Sequence, residues 1–122
     1  MTAVVADISY PAYGNSNAVS TSSTFTYNPV THGQVALITF TNAITVTMGA
    51  PTGIVEGAMF KLIFKDGDAL SRTYVWNTAF KFPSATSPVT LGNGNDGAYT
   101  IITFIGGAGN TLIYDGHCKD IR

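Results

Sequence analysis

GAMFKLIFKDGD (57–68), RTYVWNTAFKFPSATSPVTL (72–91), AYTIITFIGG (98–107) and LIYDG (112–116) follow one another along the chain and read as a run of β-hairpins. In the first stretch Phe60, Leu62 and Phe64 alternate with Lys61 and Lys65, so one face is apolar and the other is wet, with Ile63 between the lysines. Period-two alternation marks a half-buried strand. Asp66-Gly67 is a turn signal. Arg72 to Trp76 reads as a strand, and Phe80 to Phe82 as a short one before Pro83. Pro88 to Leu91 starts another, confined to an edge because proline has no N–H for a ladder. Tyr99 to Ile105 is apolar on both faces and reads as a central strand. Gly106-Gly107-Ala108-Gly109-Asn110 then turns into Thr111 to Tyr114, Asp115-Gly116 turns again, and a last strand runs from His117 to Ile121.

The pattern extends upstream to Gln34. Ala36, Ile38 and Phe40 share one face of Val35 to Thr41, and Ile44, Val46 and Met48 alternate with Thr45 and Thr47. Turn signals recur about every ten residues and no 3.6-residue period stands out, which is the sandwich or barrel pattern. The expected fold is an all-β, antiparallel, jelly-roll-like sandwich of about eight short strands, without a repeat at solenoid spacing. Its core is expected to take Phe60, Leu62, Phe64, Trp76, Ile102 and Phe104. Residues 1–30 read differently. Apart from a short strand at Ala3 to Ile8, they are polar, rich in small residues and broken by Pro11 and Pro29. The expected division is an extended N-terminal arm over 1–30 and a β-sandwich domain over 31–122. Tyr10, Tyr13, Phe25 and Tyr27 are the side chains that could pin the arm, and Tyr10 and Tyr13 are its expected partner-binding anchors, because aromatics carry much of the energy at interfaces. A chain beginning near Thr31 is expected to fold and to lose binding.

Composition narrows the function. The 122 residues suffice for one domain with a core of its own. Charged residues are 11 % of the chain, against roughly 25 % in ordinary soluble domains. A net charge of −1 gives no electrostatic case for nucleic acid or anionic lipid. Asp7 and Glu56 are the only charged side chains in residues 1–60, and every Lys and Arg falls at Lys61 or later. Such a half is either coated by Thr, Ser and Asn or covered by other chains. The single cysteine, Cys118, forbids an internal disulfide. No basic and apolar leader opens the chain, and no apolar run reaches the ~20 residues of a membrane helix.

The candidate chemistry is sparse. Asp66 and Asp68 could share a calcium ion, but a polar hairpin tip explains them as well. His117 and Cys118 are adjacent on a strand, so they point to opposite faces and cannot chelate one ion; Cys118 reads as an inert buried residue. Arg72, Tyr74 and Trp76 share a strand face that could stack on a sugar ring, although large aromatics in a small β-domain usually belong to the core. The glycines at 106–109 follow a strand without opening a helix and lack the Lys-Ser/Thr of a phosphate loop. Neither paired carboxylates nor a nucleophile motif is present, so the expectation is no catalytic residue, no metal and no cofactor.

The order of these words resembles the small β-domain that recurs in bacteriophage tail-fibre, head-fibre and capsid-decoration proteins. The resemblance runs through Gly57-Ala58-Met59-Phe60-Lys61-Leu62, then Arg72-Thr73-Tyr74-Val75-Trp76, Phe80-Lys81-Phe82-Pro83, Pro88 to Leu91, Ile101 to Phe104 and finally Tyr114-Asp115-Gly116. It covers about half of the chain. It implies a non-enzymatic β-sandwich, often trimeric, that serves structure or attachment. On that resemblance the chain is expected to be a virion protein, made in the host cytoplasm, and a capsid decoration protein that docks on the major capsid protein through its arm. The alternative is a fibre domain that binds a host-surface glycan. A cellular binding module unrelated to phage is a third class.

Overall fold

The structure, a computed structural model, describes residues 18–20, 24–40, 45–66, 72–87 and 97–121. The strands among them are β1 (Ala18–Ser20), β2 (Thr24–Phe25), β3 (Val35–Phe40), β4 (Thr45–Met48), β5 (Met59–Asp66), β6 (Thr73–Trp76), β7 (Phe80–Lys81), β8 (Tyr99–Gly107) and β9 (Thr111–Ile121). A single helical turn, α1 (Pro29–His32), lies between β2 and β3. The strands form two sheets that pack together, a large one in the order β1-β3-β5-β8-β9-β7 and a small one in the order β2-β4-β6. The fold is an all-β sandwich, as the period-two patterning requires.

The pairing differs from expectation. Five of the seven pairings among the described residues run parallel. The chain visits the large sheet, crosses to the small one and returns, so that β1-β2, β3-β4 and β5-β6 are successive turns of a flattened coil. Register follows the coil: Ala18 pairs with Ile38 and Ile38 with Phe64 in one sheet, and Thr24 with Thr47 and Thr45 with Thr73 in the other. Each turn takes roughly 20 to 30 residues, which is solenoid spacing that the sequence does not display as a repeat. The antiparallel jelly-roll pairing is thereby corrected. Turn signals mark where a strand ends; they do not say whether the next strand folds back beside it or passes to the facing sheet.

Antiparallel pairing is confined to β8, which pairs with β5 on one side and with β9 on the other. This hairpin separates β5 from β7. Its turn is Ala108-Gly109-Asn110, with Gly109 and Asn110 at positive φ, and the Asn110 side-chain oxygen accepts from the Ile54 amide at 3.0 Å. Asp115-Gly116 is no turn. It lies inside β9, at a register shift opposite Thr103 and Phe104, with Gly116 at φ 147°. A bulge of this kind lets one long strand bend where two short ones were expected.

The core lies between the sheets in cross-strand rows. Ala36, Leu62 and Ile102 form one row and Phe60, Phe104 and Tyr114 another, facing Phe25, Met48 and Trp76 of the small sheet. Phe60, Leu62, Phe64, Ile102 and Phe104 are buried as expected. Trp76 is half-buried, packed against the core from its rim.

The boundary between arm and sandwich also moves. Tyr27 is completely buried, and Phe25 and Pro29 are buried with it. The Tyr27 hydroxyl donates to the Gly33 carbonyl at 2.6 Å, and backbone bonds from Gly49 to Phe25 and from Thr52 to Tyr27 extend the small sheet. Residues 24–30 are therefore sandwich, and a chain beginning at Thr31 would lose core side chains. Arm readings that concern residues 1–17, including Tyr10, Tyr13 and the strand at Ala3 to Ile8, lie outside the described residues.

Two measurements check this packing. Gly106 passes so close to the 55–58 loop that a Cβ built on it falls on the Val55 carbonyl oxygen; its N–H bonds Ala58 and its carbonyl receives the Gly57 amide, each at 2.8 Å. Backbone cannot rotate away as a side chain can. Gly106→Ala is expected to cost about 3 kcal/mol in urea unfolding, and Gly109→Ala, with open space around it at φ 69°, about 1 kcal/mol.

The second concerns His32, packed against Phe25 and Tyr27 with ring centroids at 5.0 and 6.0 Å. Its Nδ1 accepts from the Asn28 amide at 3.1 Å. Burial, the larger influence, pushes the imidazole below the ordinary value of 6.5. The unfolded chain therefore takes up a proton that the folded chain resists. The contribution is fully present above 6.5 and is lost as pH falls below it. Melting temperature is expected to drop between about pH 7.5 and 5.5, with a flatter profile for His32→Gln.

Candidate functional site

Two surfaces could meet another molecule. The first opens beside the edge strand of the small sheet. Tyr74 and Trp76 alternate inward along β6 while Thr73 and Val75 face water. The chain then turns at Asn77, whose amide donates to the Met48 carbonyl at 2.9 Å and whose side-chain oxygen accepts from the Ala79 amide at 2.9 Å. That turn delivers Phe80 to the large sheet, where β7 runs parallel to β9. Phe80 and Phe82 meet the Trp76 indole at centroid distances of 5.0 and 5.1 Å, both edge-on. Phe64 and Phe104 contact the same indole from the core side. A pocket of about 380 Å³ remains between these rings and the segment that follows, lined also by Asn77, Lys81, Ala85 and Ser87.

The second surface is the outer face of the large sheet. Leu37, Ile63, Ile101 and Cys118 form one cross-strand row, and Met59, Ile105 and Ile113 another. Leu37, Ile63, Ile101 and Ile105 are only half-buried there, while Met59 and Ile113 are 51 % and 45 % exposed. Lys61 and Asp115 stand on opposite sides of β8 and line a shallow groove of about 390 Å³ with Ile101, Thr103, His117 and Cys118. Lys65 lies 5.6 Å above the Tyr99 ring on the same face. A sheet wet on one face would carry polar residues at these positions; here two outward rows are aliphatic and alternate with the rows Val35-Lys61-Thr103 and Thr39-Lys65-Tyr99. The sequence signal was present in the apolar residues of β8 on both faces, read there only as a central strand.

The residues singled out from sequence fall as follows. Tyr74 and Trp76 share the inward face of β6; Arg72, just before the strand, is only 6 % exposed and is absent from the pocket lining. Trp76 alone of the three lines the pocket, as wall and core anchor together. Phe80 and Phe82, read as a short strand, complete the site; their spacing of two, just before Pro83, was its only mark in the sequence. Cys118 is exposed, contrary to expectation, because the bulge at Asp115-Gly116 carries it onto the outer face opposite Ile101. His117 borders the same groove, and its Nδ1 meets the Tyr114 hydroxyl. The Asp66 and Asp68 side chains lie outside the described residues. Among those that are described, no three His, Cys, Asp or Glu side chains group to hold a metal ion, and no helix is long and apolar enough to cross a membrane.

The rim position of Trp76 has a measurable consequence. Trp76→Ala is expected to cost about 3 kcal/mol in urea unfolding. Val75→Ala, one residue away on the wet face and 49 % exposed, is expected to stay within about 0.5 kcal/mol of the parent.

Comparison with protein-family models, curated proteins and solved structures finds no match.

Proposed function

We propose that this chain is a non-enzymatic structural protein of a bacteriophage virion, a homotrimer that decorates the capsid and docks on the major capsid protein through residues 1–17. The observation that carries the reading is the outer face of the large sheet. Its aliphatic rows at Leu37-Ile63-Ile101 and Met59-Ile105-Ile113 are what a sheet presents when another protein covers it. The order of motifs from Gly57 to Gly116 and the two lone charges of residues 1–60 support it independently.

The occupant of that face is a second copy of the chain. Lys61 stands on β5 and Asp115 on β9, at the two sides of the groove. Opposite charges placed this way can complement each other between copies; the three-fold number is carried over from the resembling domain. The arm is left to reach the shell. A second reading, attachment to a host glycan at the tip of a fibre, is favoured by the Trp76-Phe80-Phe82 pocket.

The test has two parts. Sedimentation at micromolar concentration is expected to give a trimer, with Met59→Glu/Ile113→Glu sedimenting as a monomer of unchanged melting temperature; a monomeric parent overturns the trimer. Quantifying the chain in purified virions is expected to give hundreds of copies. A handful would assign it to a fibre or tail tip, and none would overturn the virion role.

A further inference from the structure

We propose that His32 is the latch of an acid-sensitive device: when its imidazole takes up a proton, residues 24–33, from β2 through α1 to Gly33, open away from the sandwich as one unit while the rest of the fold stays closed. The inference goes beyond the decoration role and does not depend on it.

The segment closes on itself at one ring. His32 ends α1 and folds back onto the strand that precedes the turn, 5.0 Å from the Phe25 ring and stacked at 20° on Tyr27. Its Nδ1 accepts from the Asn28 amide at 3.1 Å. Asn28 is also the residue that caps α1, through the bond its side-chain oxygen accepts from Val30. The Tyr27 hydroxyl bridges to the Gly33 carbonyl. Strand, cap and helical turn thus share one side chain that ties the end of the segment to its beginning.

Its attachment to the rest of the fold is local. Among the described residues β2 is the end strand of the small sheet, paired with β4 at Thr24 and Phe25. The Gly49 amide donates to Phe25 and the Thr52 amide to Tyr27. Gly33, at φ 88°, has a backbone conformation open to glycine, and the Lys61 amide fixes the chain again at the Gln34 carbonyl. A segment at the end of a sheet can leave with the pairing of the other strands intact, and proteins open in such units below the cost of global unfolding. Burial of Phe25, Tyr27 and Pro29 keeps it closed at neutral pH.

Protonation acts on the latch directly. A charged imidazole carries N–H at both nitrogens, so Nδ1 would meet the Asn28 amide donor to donor. Burial also disfavours the charge and holds the ring below 6.5 in the closed form, whereas the ring of an open segment is hydrated and titrates at its ordinary value. The open form binds the proton more tightly, so opening is independent of pH well above 6.5 and grows as pH falls through it. Charged side chains stand elsewhere. β2, β3 and β4 contain no Asp, Glu, Lys or Arg, and Tyr27 is the titratable group against the ring. Lys61 and Lys65 of β5 lie opposite Val35 and Thr39 on the outer face, and Asp66 ends that strand opposite Phe40. Glu56 is exposed in the loop before β5, and Arg72 precedes β6, whose far end, Trp76, is level with Phe25 through Met48.

The experiment is peptide-resolved hydrogen exchange of the full chain, read as protection relative to unstructured peptide, at about pH 7.5 and 5.5. Residues 24–33 are expected to lose protection roughly fivefold in acid, the worth of one hydrogen bond, while β5 and β8 keep theirs. His32→Gln, which retains an acceptor and takes up no proton, is expected to show equal protection at the two pH values, whatever its level. His117→Gln, at the other histidine, is expected to keep the fall. An equal loss in β5 and β8 is global unfolding and overturns the local opening. Unchanged protection over 24–33, a fall that persists in His32→Gln, or one that disappears in His117→Gln overturns the latch.

Discussion

A three-stranded sheet cannot cover a six-stranded one, and aromatic side chains make up the difference. The coil places β2, β4 and β6 opposite β1, β3 and β5, but the β8-β9 hairpin then widens the large sheet without adding to the small one. The inner side of the added strands carries Phe104, Leu112 and Tyr114. Trp76 closes this gap from the last strand of the small sheet. Its indole meets Phe64 of β5, Phe104 of β8 and Phe80 of β7, and Phe82 carries the contact on to Tyr114 of β9. Aromatic rings suit this work because each covers a large area and holds its orientation through edge-to-face contact. The same rings make the pocket, since a cluster that roofs the rim of a sheet has one side in the core and the other in solvent.

Parallel pairing follows from how the chain changes sheets. Two adjacent strands that both point the same way need a crossover between them, commonly a helix. Here a strand of the facing sheet provides it, and each crossover contributes to the other half of the core. Parallel strands in such a coil are covered on the inside alone, which leaves their outer face to be dealt with. In this chain that face keeps two aliphatic rows across β3, β5, β8 and β9, with Lys61, Lys65 and Asp115 beside them.

The N-terminal boundary is decided by one buried tyrosine. Tyr27 sits in a segment of Ser, Thr, Asn and Pro whose composition suggests an arm, yet its ring packs edge-on against Phe60 at 6.1 Å and its hydroxyl satisfies the Gly33 carbonyl. Asn28 caps the helical turn that follows, accepting from the Val30 amide at 3.0 Å, so polar side chains here satisfy backbone groups in place of solvent. A polar stretch can belong to a core when its few aromatics point inward and its polar atoms are spent on the chain itself.

Period-two alternation was legible in the sequence, and with it the strand positions in Val35–Phe40, Thr45–Met48, Met59–Asp66 and Tyr99–Gly107, their inward faces and the all-β class. Alternation is a local property, set by the side-chain geometry of an extended chain, so a single sequence displays it. Pairing was not legible, because parallel and antiparallel neighbours present the same alternation and differ only in where the chain goes between them. Nor was the pocket: Trp76 reads as core from its size, and only the mismatch in width between the sheets leaves one side of it open beside Phe80 and Phe82. The exposure of Cys118 turned on a bulge, which shifts register by one residue and so changes which face a side chain meets. Local chemistry specified the strands, and the crossing of the chain between two unequal sheets decided which surfaces they leave for a partner.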